Sequence, residues 1–146
     1  WVEDAAVQAA AEFADVLSFN IYQKTPALPK IMENIDKPVV IGEFHFGALD
    51  RGMFHTGLVA AASQEERAAL YENYLREAAT HPKIVGTHWF QFIDEPITGR
   101  WYDGENYNIG LVSVVDLPYP ELTEAARRIH GALYALRAGR TMEKKP

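Results

Sequence analysis

Val39-Val40-Ile41-Gly42-Glu43-Phe44-His45-Phe46-Gly47 is the most strand-like run among the 146 residues. Its β-branched side chains suit a pleated, packed surface, and Pro38 stands just ahead of it, where a strand tolerates the missing N–H. The run ends on a carboxylate, Glu43, followed by aromatic and polar residues instead of a tight turn.

The segments on either side alternate helix and strand. Residues 3–14 are Ala-rich and predict a helix, leading through Asp15 into Val16-Leu17-Ser18-Phe19-Asn20-Ile21-Tyr22, a short apolar run expected as a strand buried on both faces. A short helix is expected near 27–35. Beyond the central strand, Ser63-Gln64-Glu65-Glu66 has the capping-box pattern, and Leu70, Tyr74 and Ala78 continue a helical stripe that His81-Pro82 ends. Ile84-Val85-Gly86-Thr87-His88-Trp89-Phe90 predicts a third strand. Residues 120–138 predict a last helix, with Leu122, Ala126, Ile129, Leu133 and Leu136 along one face. Short apolar strands alternating with helices are what parallel strands joined by crossover helices require. The connections after the second and third strands are long and rich in Gly, His, Tyr and Asp, as functional loops are.

Composition narrows the function. A formal charge of −6 and no Lys/Arg cluster argue against nucleic acid or an anionic membrane surface as partner, and no apolar run is long enough to span a bilayer. A neutral substrate fits better. With no cysteine there is no disulfide framework, thiolate metal site or thiol nucleophile. Three histidines, His45, His55 and His88, lack the spacing that would make a metal site persuasive, so neither metal nor cofactor is expected. The chain opens at Trp1 with helix-like residues instead of a basic, apolar signal sequence, and further sequence upstream is expected.

Three residues close their strands in turn: Tyr22, Glu43 and Trp89. In a barrel, residues at the C-terminal ends of different strands converge on one ligand. Taken alone, Glu43 could equally be a structural carboxylate in an ion pair, and Tyr22 a core tyrosine. Read together, the series resembles the retaining glycosidases of clan A, whose nucleophile ends strand seven, with a tyrosine from strand six and an aromatic residue, usually Trp, from strand eight. Longer stretches narrow this further: Gly42-Glu43-Phe44-His45-Phe46-Gly47-Ala48-Leu49-Asp50-Arg51-Gly52-Met53-Phe54-His55, then His88-Trp89-Phe90-Gln91-Phe92, then Asp103-Gly104-Glu105-Asn106-Tyr107-Asn108-Ile109-Gly110. These are similar to family 50 of the glycoside hydrolases, the β-agarases, from about residue 15 to 136.

The resemblance implies an α/β fold, the C-terminal portion of a (β/α)8 TIM barrel with about strands six to eight in residues 1–139, followed by a polar tail at 140–146. It implies Glu43 as nucleophile, oriented by Tyr22, and substrate-binding roles for His45, Asp50, Arg51, His55, His88, Trp89, Gln91, Asp103, Glu105 and Asn106. Strand alternation favours Trp89 and Gln91 over His88 as lining the site. The loop with Arg100, Trp101 and Asn108 suits binding hydroxyls, though a solvated turn-rich loop has a similar composition. The implied substrate is agarose or its oligosaccharides, a neutral galactan, in a secreted or periplasmic enzyme. A clan A β-galactosidase fragment and a non-catalytic sugar-binding remnant are the alternatives.

A retaining glycosidase needs a second carboxylate about 5 Å from the nucleophile. Asp94-Glu95-Pro96 imitates the Asn-Glu-Pro motif that carries it, but follows the eighth strand instead of the fourth and has Asp for Asn; Glu95 is therefore expected to be a loop carboxylate. The acid/base residue and the N-terminal half of the barrel are then missing from the chain, which alone is expected to be inactive and to leave strand edges exposed.

Overall fold

The computed structural model describes residues 3–139; Trp1, Val2 and the expected polar tail at 140–146 lie outside the described residues. Three parallel strands, β1 (Leu17–Asn20), β2 (Val39–Phe44) and β3 (Ile84–Trp89), form one sheet in the order β1-β2-β3. Helix α1 (Asp4–Phe13) precedes β1, a 3-10 turn at Lys30–Asn34 lies between β1 and β2, α2 (Gln64–Thr80) crosses from β2 to β3, and α3 (Pro120–Arg137) closes the chain.

The helix ends follow local chemistry. Ser63 caps α2 by accepting the Glu66 N–H at 3.3 Å, and the Glu66 carboxylate accepts the Ala62 N–H at 2.6 Å, one residue ahead of the cap. Pro120 starts α3, where its missing N–H costs nothing.

Alternate strand residues, Leu17, Phe19, Val39 and Ile41, join Tyr74, Leu122 and Ile129 from the helices in one core, while Ser18 and Asn20 stay exposed. Phe44 stacks on Tyr74 with ring centres 4.2 Å apart, and the Tyr74 hydroxyl donates to the Ile21 carbonyl at 3.0 Å, so α2 is fastened to the ends of two strands.

The strand registers are irregular near their C-terminal ends. Phe19 pairs with Ile41 but Asn20 pairs with Glu43, and Ile41 pairs with Thr87 but Phe44 with Trp89. An extra residue of this kind turns the side chains that follow it. Glu43 is thus half-buried and bonded to Tyr22, while its neighbour Phe44 is sealed in the helix-facing core. Gly42 allows this: a Cβ there would lie 2.6 Å from Ser18 Oγ and 2.7 Å from Asn20 Oδ1.

Among the described residues β1 and β3 are both sheet edges. Beside β3 a cleft of about 890 Å3 opens between strand and helices, lined by apolar groups such as Leu75, Ile84, Val85 and Leu133.

Candidate active site

The two long loops are built as one unit at the C-terminal ends of the strands. Asn108 joins them: its Oδ1 accepts from the Ala48 N–H and from Gln64 Nε2 at 2.8 Å, and its Nδ2 donates to Asp94. The buried Asp94 carboxylate also takes the Gly110 N–H at 2.7 Å and the Tyr119 hydroxyl at 2.6 Å. Beneath lies Arg67, wholly buried, donating to the Phe46 carbonyl (2.7 Å), Gln64 Oε1 (3.0 Å) and the Gly110 carbonyl (2.6 Å). Desolvation brings its pKa down to about 10, with Asp94 opposing the shift, so it remains a cation.

On this scaffold the Tyr22 hydroxyl donates to Glu43 Oε2 at 2.6 Å. Burial, and then the bond to Glu43, push the phenol well above the ordinary tyrosine range, so it keeps its proton and stays a donor. The His45 ring tilts against Tyr22 with centroids 4.6 Å apart, and Phe90 and Tyr107 lie at 6.2 and 6.1 Å from it. His45 Nε2 accepts the Leu58 N–H at 2.8 Å, leaving the ring proton on Nδ1, which has no hydrogen-bond partner among the described residues. Burial lowers its pKa to about 4, so the ring is neutral near pH 7.

The candidate residues divide into those gathered at Glu43 and those held elsewhere. Tyr22 and His45 are gathered there; His55 joins through Tyr107, on which it stacks at 4.7 Å. Glu105 joins through Arg100, whose guanidinium it pairs with and which lies over Phe90, the ring beside His45. Asp50 is instead tied to the start of α2, accepting the Gln64 N–H at 3.0 Å, and Arg51 pairs with Glu121 on α3. Asp103 is spent on Arg100 (2.6 and 3.0 Å), Gln91 donates to the nearby Ile93 carbonyl, and Asn106 is half-buried. His88 is exposed and borders the apolar cleft, which neither Tyr22 nor Glu43 lines.

Trp89 corrects the expectation from alternation. Its ring packs edge-on against Phe44 and Tyr71, both at 5.2 Å, under the Arg67 guanidinium, and its Nε1 donates to the Ile109 carbonyl at 2.8 Å. It therefore belongs to the layer between sheet and helices. Phe90, on the opposite side, is the aromatic residue near His45. The register irregularity before Trp89 inverts the faces that simple alternation assigns.

Sequence reading also missed the set around Arg100. This guanidinium pairs with Glu95 at 3.2 Å and with Asp103 and Glu105, and lies 5.8 Å over the Phe90 ring. Glu95 is a loop carboxylate as expected, but fully buried, with Oε2 accepting the Tyr107 N–H at 2.8 Å. Burial raises its pKa, against the pull of that N–H and of Arg100. The signal available was the clustering of Arg100 with Asp103 and Glu105.

Comparison with known proteins agrees with this architecture. The chain is 51% identical over 132 residues to β-agarase B of Vibrio sp. (strain JT0107), and 50% identical over 136 residues to β-agarase A of the same organism. Each alignment covers 88% of this chain and 14% of the relative, so the chain spans about one seventh of their length. The crystal structure of the agarase AgWH50C superposes with a TM-score of 0.89 at 48% identity, over 93% of this chain and 20% of that one. No family model matches. A β-glucuronidase from Bifidobacterium dentium, 21% identical with a TM-score of 0.57, shares the fold alone. The class is a parallel α/β unit with its polar cluster at the strands' carboxyl ends. The chain is similar to one segment of the β-agarases of glycoside hydrolase family 50.

Proposed function

We propose that this chain is the nucleophile-bearing part of a retaining glycoside hydrolase that cleaves β-glycosidic bonds in agarose or agaro-oligosaccharides. The observation that carries the reading is the 2.6 Å bond from Tyr22 to Glu43 at the carboxyl end of parallel strands, in a chain about half identical to β-agarases. In this role a Glu43 oxygen attacks the anomeric carbon to form a glycosyl ester, while Tyr22 fixes the direction of the carboxylate and His45, neutral and buried, backs the phenol ring. His55, Glu105 and Phe90 border the sugar.

The acid that protonates the leaving oxygen is assigned to a carboxylate outside these residues. Glu95 has the raised pKa of an acid, but its oxygens are committed to Arg100 and to Tyr107 N–H, and it is fully buried. The partner is the remainder of a (β/α)8 barrel, to which residues up to 139 contribute strands six to eight. The two open sheet edges and the apolar cleft beside β3 support that placement. A galactan polymer too large to enter a cell implies a secreted or periplasmic enzyme; no described helix is long and apolar enough to cross a membrane.

The test uses the longest natural polypeptide that carries this chain. Glu43→Gln should abolish release of agaro-oligosaccharides from agarose while leaving their binding measurable, and the unsubstituted protein should release product with the anomeric configuration retained. Full turnover in Glu43→Gln, or an inverted product, overturns the reading.

A further inference from the structure

The loop after β3 turns back on itself at residues 99–104 and displays Trp101 at its tip, 94% exposed. Tyr102 meets it edge to face at 5.3 Å, and the Arg100 guanidinium lies 4.8 Å over the Tyr102 ring. The loop is firmly anchored. Arg100 holds Asp103 through two bonds, Glu105 through another, and the buried Glu95 at 3.2 Å. Backbone bonds from Arg100 N to the Glu105 carbonyl and from Gly104 N to the Arg100 carbonyl, both 2.8 Å, close its neck. That neck leaves no room for a Cβ at Gly99, which would lie 2.7 Å from the Gly104 carbonyl oxygen.

A large aromatic ring held in water by a rigid base is an unused binding surface. Its surroundings define the ligand. An indole face accepts the apolar C–H face of a pyranose, and the phenol of the neighbouring Tyr102 offers a hydroxyl to the sugar's own. Other highly exposed rings, Phe13 and Tyr134, stand on helices; Trp101 stands on the loop whose base meets the Glu43 site, because Arg100 also covers Phe90 and the charges of Arg100 and Glu105 act on Tyr22.

We propose that Trp101 and Tyr102 form a separate sugar-stacking subsite, which takes a unit of a neutral galactan chain beyond the units bound at Glu43. The proposal rests on the glycosidase reading and extends it from bond cleavage to grip on the polymer.

The experiment is calorimetric titration of the longest natural polypeptide containing this chain, in the Glu43→Gln background so that no turnover intervenes, with agaro-oligosaccharides of increasing length. Without further change, affinity should rise with length. Trp101→Ala should flatten that rise, with a loss of roughly five- to tenfold on the longest oligosaccharide, the scale of one aromatic contact, and a smaller loss on the shortest. Trp101→Phe should restore part of it. An equal loss at every length overturns the subsite, as does no loss at all. A fall in melting temperature for Trp101→Ala also overturns it, since the ring then packs against another part of the polypeptide. Absence of galactan binding at any length before Trp101 is changed counts instead against the glycosidase reading.

Discussion

Acid should unfasten this site through His45. The ring is 2% exposed, and burial holds its pKa at about 4, against 6.5 in an unfolded chain. A folded pKa below the unfolded one means that the native state resists protonation: its stability is complete above pH 6.5 and drains away as pH falls toward 4. At about 1.4 kcal/mol per pH unit, the gap amounts to about 3 kcal/mol. That is a large share of the roughly 5 to 15 kcal/mol that holds a domain together. His45→Gln keeps an acceptor for the Leu58 N–H but does not titrate. Urea unfolding of the parent and of His45→Gln, from neutral pH to about 4, should show the difference between them shrinking by about 3 kcal/mol in favour of the variant. Carboxylate titrations common to both proteins cancel in that difference. NMR of the labelled imidazole should show protonation near pH 4 and the proton on Nδ1. A difference that ignores pH, or a midpoint near 6.5, refutes the reasoning.

Tyr22→Phe removes a hydrogen bond to a carboxylate, a contact worth about 1.5–3 kcal/mol, and if that energy orients the nucleophile in the transition state it should lower kcat on agaro-oligosaccharides roughly 10- to 150-fold; an unchanged kcat would remove Tyr22 from the mechanism. Arg67→Met leaves the Phe46 and Gly110 carbonyls buried without their donor and should cost about 3 kcal/mol or more in denaturant unfolding. A cost below about 1 kcal/mol would mean that these groups find other partners. Gly47→Ala would place a methyl 2.0 Å from the Thr56 carbonyl oxygen and 2.5 Å from that of Asn108, both backbone, so a loss of at least about 2 kcal/mol is expected by the same assay.

The elements that the sequence discloses are those specified by neighbours in the chain. The β-branched run at Val39–Phe44, the Ser63 cap and the apolar stripe of α3 are local patterns, and each forms where expected within a residue or two. The pairing of Tyr22 with Glu43 was reached through resemblance, since nothing local links residues 21 apart. What escaped is relational. Trp89 faces the helices because β3 slips register against β2, a property of two strands that neither segment displays alone. Asp50 and Arg51 look like ligand-binding loop residues, yet one accepts the Gln64 N–H at the start of α2 and the other pairs with Glu121 on α3. Arg67 sits among charged helix residues in the sequence, and only its two distant carbonyl acceptors distinguish it from them.

Those acceptors also set an order of events. Arg67 bonds to Gln64 three residues away, to Phe46 at 21 and to Gly110 at 43 residues' separation. The guanidinium loses its water only when both long loops have arrived, so its interactions complete late, after α2 has formed and docked. Changes at Arg67 should then speed unfolding far more than they slow folding, and the lifetime of the native state, more than its rate of birth, is what this one cation governs.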